Sequence, residues 1–403
     1  MEEIKYYDNK EEHGMIINWA KVFSRYRSII KKSKLSEPLY DPTTAPVNEA
    51  KIFALMSDRS TGKTTNWILI GMILNQMYGT VTQYVRQYED MVKPSICNEI
   101  FRTILTYNNH MYVKSITDGK YSGIYIRWKK AYFCNYDEKG KPCDLPSDPF
   151  LQFLSVDNNF NYKSGYSAPT GDLILFDEFI SNQYRLNEFV DFLDLCSTII
   201  RKRKTPIIVM MSNTINVNST YFKELEVSKE VKKLKAGQHK IVETERGTKV
   251  YIEIIGLKQT AIKSQVNRLF YGFNNPRLAS ITGGEIWSLD PAPHIVNSDD
   301  DEILSRNFRI DCLDTMLQLD IVRTEDRGLI INCHESNDRI HEDTVIFTLH
   351  DIRSNNQVYG LGKGAYCKLI WGLYDSNKWY YDTNETAALV KQYLRHYRQL
   401  KYS

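Results

Sequence analysis

I-F-A-L-M at 52–56, S-D-R-S-T-G-K-T-T at 57–65 and N-W-I-L-I-G-M-I-L-N-Q-M-Y at 66–78 form the stretch from which the rest of the chain is read. The first run fits a buried strand, and the last has the length and composition of a helix. A strand, a short loop ending in G-K-T and a helix make the context in which such a loop binds phosphate. Backbone N–H groups of the loop and first helical turn then point into one concavity, where the helix N-terminus adds partial positive charge. Gly62 lets the backbone approach a β-phosphate, Lys63 reaches the β- and γ-phosphates, and the Thr64 hydroxyl is the expected Mg2+ ligand. Ser57, Asp58, Arg59, Ser60, Thr61, Gly62, Lys63, Thr64 and Thr65 are thus the expected loop, with ATP and Mg2+ as ligands. Ser57 stands where the G-x-x-x-x-G-K-[ST] pattern has its first glycine, which implies some strain or an altered turn.

Two later segments extend this reading. G-D-L-I-L-F-D-E-F at 171–179 is an apolar strand ending in two carboxylates. Carboxylates at the tip of a buried strand are costly unless something uses them. After a phosphate loop, Asp177 is the expected magnesium ligand and Glu178 the expected base for the attacking water. T-P-I-I-V-M-M-S-N-T at 205–214 is a further buried strand, and Asn213 just past it is placed to sense a γ-phosphate; an ordinary turn also fits those residues.

Strands and helices alternate through this region as in a parallel sheet with helices on both faces, with the site at the carboxyl ends of the strands. Residues 15–34 have helical spacing, with Ile16, Trp19, Ala20, Phe23, Tyr26 and Ile30 on one face. Residues 111–133 read as strands with a hairpin turn at Asp118–Gly119. Lysines and arginines between Lys114 and Lys141 alternate there with aromatic residues, which fits either a nucleic-acid-facing surface or a lysine-decorated sheet. Residues 224–240 read as a charged helical stretch, and 249–255 as another strand. Turn-rich, acidic 257–303 reads as a linker, dividing a phosphate-loop domain (1–256) from a smaller α+β domain (304–403). The segment A-Y-C-K-L-I-W-G-L-Y within that last domain reads as a strand, and no internal repeat is found.

The chain has 403 residues, room for two domains, and a net charge of only +3, so nucleic-acid binding has to be argued from local clusters. Seven scattered cysteines without C-x-x-C spacing read as reduced thiols of an intracellular protein. The polar start M-E-E-I-K-Y-Y does not fit a signal peptide, and no run is long enough to span a membrane.

The phosphate loop, L-I-L-F-D-E and the strand ending S-N-T together resemble the DNA-packaging ATPases of tailed bacteriophages, especially the phi-29-type encapsidation ATPases. Arg59 looks like the arginine these motors carry inside the loop, and Q-Y-V-R-Q-Y around Arg86 is similar to the strand that follows their loop helix. The resemblance implies a P-loop NTPase fold of the ASCE type, followed by a C-terminal domain resembling a degenerate RNase H-like nuclease. It further implies a homo-oligomeric ring, a pentamer, acting in the host cytoplasm at the portal vertex of a procapsid. Its partners would be double-stranded DNA, the portal or connector, and a packaging RNA. In such rings a cation from the neighbouring subunit completes the site; Arg201, Arg203 and Lys163 are the positions that suit it, although a basic helix end explains the arginines equally. Asp311, Asp314 and Asp320 lack the second acidic cluster of an active two-metal nuclease. A full terminase that cuts DNA and a non-hydrolysing nucleic-acid or portal-binding protein are the alternatives.

Overall fold

The computed structural model describes residues 17–32, 40–57, 61–106, 111–158, 171–180, 188–201, 203–213, 219–256, 292–296, 298–312, 315–349 and 352–402. The described residues fall into two compact units, one within 17–256 and one within 292–402. Most of the expected linker, with the boundary at 256, lies outside them.

In the first unit, ten strands among the described residues form one sheet. In chain order they are β1 (Ile52–Met56), β2 (Thr82–Arg86), β3 (Gly123–Arg127), β4 (Lys130–Tyr136), β5 (Pro142–Cys143), β6 (Leu151–Ser155), β7 (Leu173–Asp177), β8 (Ile207–Ser212), β9 (Gln238–Glu243) and β10 (Lys249–Ile254). Their spatial order is β3-β4-β6-β2-β7-β8-β1-β10-β9, with the short β5 paired to β4. The six from β6 to β10 in that order are mutually parallel, whereas β3, β4 and β9 join antiparallel. Strands buried on both faces read as continuous apolar runs, as I-F-A-L-M, L-I-L-F and I-I-V-M-M do. The strand β8 lies between the loop strand β1 and the acidic strand β7, and all three are parallel, so their carboxyl ends share one edge of the sheet.

The helix Lys63–Tyr78 is apolar around most of its circumference because it is buried: Trp67, Ile68, Leu69, Ile70, Met72, Ile73 and Leu74 are all at most 1% exposed. Gly71 brings it close to the sheet, since a Cβ there would collide with the Thr82 side chain. The helix Trp19–Lys32 packs against it through Trp19, Val22, Phe23, Tyr26 and Ile29, whereas Ala20 faces solvent and Ile30 is half-buried.

Two local expectations are corrected in this unit. Asp118–Gly119 is not a hairpin turn. It stops the helix Met111–Ile116, with Gly119 N–H donating to Lys114 O at 2.7 Å and both residues at positive φ. The hairpin turn is Trp128–Lys129, between β3 and β4. Residues 224–240 are not one helix: the short helices Thr220–Glu224 and Ser228–Val231 lead into β9, an edge strand whose Gln238, His239 and Lys240 are exposed.

The second unit holds β11 (Glu302–Cys312), β12 (Thr315–Thr324), β13 (Gly328–Glu335), β14 (Val345–Thr348), β15 (Gln357–Tyr359) and β16 (Trp379–Tyr381) in the order β15-β14-β11-β12-β13-β16. The first three form an antiparallel meander; β14 and then β15 add parallel beyond β11, and β16 adds parallel to β13. The segment A-Y-C-K-L-I-W-G-L-Y, expected as a strand, belongs to the helix Ala365–Asp375, because Cys367, Ile370, Trp371 and Leu373 recur at helical spacing and bury one face. This helix and Asn384–Tyr402 supply one side of the unit's core.

His334 gives this unit a pH dependence. Its Nε2 lies 3.4 Å from Asp320 Oδ2, which also meets Arg306 Nε at 3.5 Å. The hydrogen bond with Asp320 raises the His334 pKa, against the opposing effect of burial and with help from the charges of Asp320 and Asp382. A folded value above the unfolded one, about 6.5, means the contribution is complete below that pH and is lost as pH rises through the folded value. The stability advantage of wild type over His334→Ala, measured by denaturant unfolding, is therefore expected to shrink from pH 6 to pH 8.5. An advantage independent of pH would refute this linkage.

Candidate active site

Residues from four parallel strands and one helix meet at the carboxyl edge of the first sheet. Gly62 precedes the helix in a left-handed conformation, φ 83°, which only glycine adopts without strain. Its carbonyl accepts from Asn66 N–H at 2.9 Å, and the Asn66 amide donates to Tyr40 O at 2.8 Å, so the helix start is tied to the preceding loop. Ser57 is not among the described non-glycine residues with positive φ. Its N–H continues the ladder to Ser212 O at 3.2 Å, and its hydroxyl meets both Lys63 Nζ and Thr61 Oγ1, the latter at 2.9 Å. A serine in place of glycine therefore adds an oxygen to the cradle around the lysine.

Lys63 is 3% exposed. Its Nζ also donates to Thr61 Oγ1 at 3.4 Å and to Asn213 Oδ1 at 3.1 Å, which draws the loop and the end of β8 together. Thr64 Oγ1 stands 3.1 Å from each carboxylate oxygen of Asp177. Asp177 is buried and also accepts from Tyr84 OH at 2.6 Å, with Arg86 NH1 at 3.5 Å. Burial and the Asp177 charge hold the Tyr84 phenol well above its ordinary pKa, so it stays a donor. A hydroxyl on a carboxylate, beside a buried lysine at a helix N-terminus, is a donor set suited to a magnesium-bound triphosphate.

Glu178 adopts φ 56°, a strained conformation for a residue other than glycine, and its N–H donates to Asp177 Oδ1 at 3.1 Å. Its side chain is 47% exposed and is held by Arg86 NH2 at 2.5 Å. Burial opposes the charge on Arg86, but Tyr84, Asp177 and Glu178 outweigh it and hold the guanidinium above its ordinary pKa. Behind this pair, Gln87 Nε2 donates to Phe179 O at 3.0 Å and to Glu188 Oε1 at 2.9 Å. Glu188 is buried and also takes the Tyr221 hydroxyl. Tyr84 and Gln87 were missed in the sequence. Their signal was a run of hydrogen-bonding residues broken only by Val85 at the carboxyl end of a buried strand, Q-Y-V-R-Q.

No protein-family model matches this chain, and no curated protein matches it in sequence. Solved structures do match in fold. A structure of the Phi-28 gp11 DNA packaging motor superposes with a TM-score of 0.55 at 16% identity, covering 90% of this chain and 98% of that one. A structure of the bacteriophage Phi-29 viral genome packaging motor assembly gives a TM-score of 0.57 at 16% identity, covering 90% and 100%. The chain has the fold of these viral packaging motors.

The other expected residues are placed as follows. Asp58, Arg59, Ser60 and Lys163 lie outside the described residues. Thr65 follows Thr64 in the first helical turn, half-buried. Arg203 sits at the opposite end of β7 from Asp177: it pairs with Asp172 at 3.2 Å, caps the helix Glu188–Ile200 by donating to Ile199 O at 2.7 Å, and reaches Gly171 O just before β7 at 3.1 Å. Those contacts account for its charge within one chain. The basic stretch is divided by β4, whose two ends lie at opposite edges of the sheet. Arg127, Lys129 and Lys130 stand at one edge, and Lys139 and Lys141 at the other, beside Asp137 and Glu138.

In the second unit Asp311 meets Thr348 Oγ1 at 3.5 Å, and Asp314 lies outside the described residues. Asp382 accepts from Thr386 Oγ1 at 2.5 Å, and Asp375 ends a helix. Among the described residues no group of three or more His, Cys, Asp and Glu is arranged to hold a metal, and no helix is long and apolar enough to cross a membrane. All seven cysteines are free thiols.

Proposed function

We propose that this chain is an ATP-hydrolysing ring motor that drives double-stranded DNA into a viral procapsid. The observation that carries the proposal is the convergence of Lys63, Thr64, Asp177, Glu178 and Asn213 at one sheet edge, in a chain with the fold of viral packaging motors. Lys63 and the loop N–H groups would bind the β- and γ-phosphates of ATP, and Thr64 and Asp177 would hold Mg2+. Bound magnesium supplies neutralisation of the charge on the phosphate oxygens. Glu178 orients a water in line with the γ-phosphate and takes its proton. Arg86 restrains the Glu178 carboxylate between turnovers. Asn213, already bonded to Lys63, carries the change at the γ-phosphate into β8.

The remaining roles complete this reading. Arg59 and a cation of the neighbouring subunit, Lys163 or Arg203, complete the site in a pentameric ring. Because Arg203 is engaged by Asp172, Lys163 is the better candidate. The C-terminal unit docks on the portal, with a packaging RNA as a further partner. Its strand order, a three-stranded meander extended by two parallel strands beyond the first, supports a degenerate RNase H-like domain. The motor acts in the host cytoplasm, at the portal vertex.

A translocation assay tests the proposal. With ATP and Mg2+, the full chain assembled on procapsids is expected to protect duplex DNA from nuclease, in an amount that grows with ATP consumed. ATP turnover without protected DNA would exclude packaging, and cutting of the duplex by the chain itself would favour a full terminase.

A further inference from the structure

The β3–β4 ribbon presents an outward face unlike an ordinary sheet surface. Alternation sends Ile124, Ile126, Ala131 and Phe133 into the core. The other face carries the cross-strand pairs Tyr125–Tyr132 and Arg127–Lys130. The two turn residues, Trp128 and Lys129, both have positive φ, 47° and 60°. A two-residue hairpin turn of this kind is ordinarily made by Asn and Gly, so two bulky residues here are held under strain. Strain that persists at an exposed tip points to a use for the side chains.

Lys129 is accounted for, because its ammonium is bound by Glu89, which also accepts Ser155 Oγ at 2.7 Å. That link fastens the tip to the edge where β2 ends at Arg86, since Lys129 O accepts from Phe153 N–H at 2.8 Å and Ser155 pairs with Arg86. Trp128 is 82% exposed, with the Arg127 guanidinium 4.4 Å from its ring centre.

We propose that this ribbon is a binding site for unpaired nucleic-acid bases, beyond the duplex-handling role argued above. Trp128 and the Tyr125–Tyr132 pair offer ring faces for stacking, while Arg127 and Lys130 take phosphates. Duplex DNA keeps its base faces inside its own stack, so a site for duplex alone needs cations more than rings. Here three rings accompany two cations. A protein partner is less well matched, because the ring at the tip is flanked by the positive charges of Arg127 and Lys130.

Fluorescence anisotropy with the full chain, without nucleotide, tests the site using labelled dT and rU oligomers and a duplex of equal length. Because ATP is absent, failure of the motor proposal leaves the outcome unaffected. Trp128→Ala is expected to weaken single-strand binding about tenfold or more, Trp128→Phe to stay within about threefold of wild type, and duplex binding to change little. Loss for both oligomers, or for one alone, supports the site. Unchanged single-strand binding in Trp128→Ala overturns the proposal, as does an equal loss for duplex. A smaller assembly in light scattering, with oligomer binding intact, overturns it in favour of an interface between copies. The tip is exposed, and Trp128→Phe separates loss of stacking from misfolding.

Discussion

Glu178→Gln is expected to bind ATP within about threefold of wild type and to hydrolyse it about 10²–10⁴-fold more slowly, the range for removing a general base. The substitution keeps the shape of the side chain and its φ of 56° but removes the negative charge that Arg86 grips. Binding is read with a fluorescent ATP analogue, and turnover by phosphate release. Equal losses in affinity and turnover would make Glu178 a binding residue; a wild-type rate would remove it from the chemistry. The substitution also relaxes Arg86, so a modest change in thermal midpoint is expected without loss of fold.

Lys63→Ala is expected to abolish measurable hydrolysis and to weaken ATP binding about 10²-fold or more, since a buried charge-assisted contact to phosphate is lost. The lysine is buried among Ser57, Thr61 and Asn213, and these oxygens would be left facing one another. Thr64→Ala separates the two halves of the site: it should spare nucleotide binding without Mg2+ and lower it with Mg2+. Turnover that survives Lys63→Ala would place the catalytic nucleotide elsewhere and revive a binding-only role.

The sequence made the heart of this site readable for a physical reason. In a parallel sheet buried on both faces, strands are unbroken apolar runs, so polar residues at their carboxyl ends stand out, as Asp177, Glu178 and Asn213 do. Which strands are neighbours was not readable. The placement of β8 between β1 and β7, and of Tyr84 and Arg86 beside Asp177, joins residues about a hundred positions apart through packing alone. Local turn chemistry misled twice. Asp118–Gly119 carries the residues of a hairpin turn but ends a helix, while Trp128–Lys129 turns a hairpin with none of them. The segment at 365–374 illustrates a third ambiguity, a short apolar run whose three- to four-residue spacing decides for helix.

The outermost strand β9 has one further consequence. Among the described residues it pairs with β10 alone, and it exposes Gln238, His239 and Lys240, with Lys240 tied to Glu230 at 2.6 Å. A bare backbone rim is adhesive, and charged side chains are a common guard against unwanted annealing. Copies of this chain that gather into a larger body are thereby steered away from zipping their sheets together. A contact between copies at this rim would run through side chains and leave each copy's own hydrogen bonds intact.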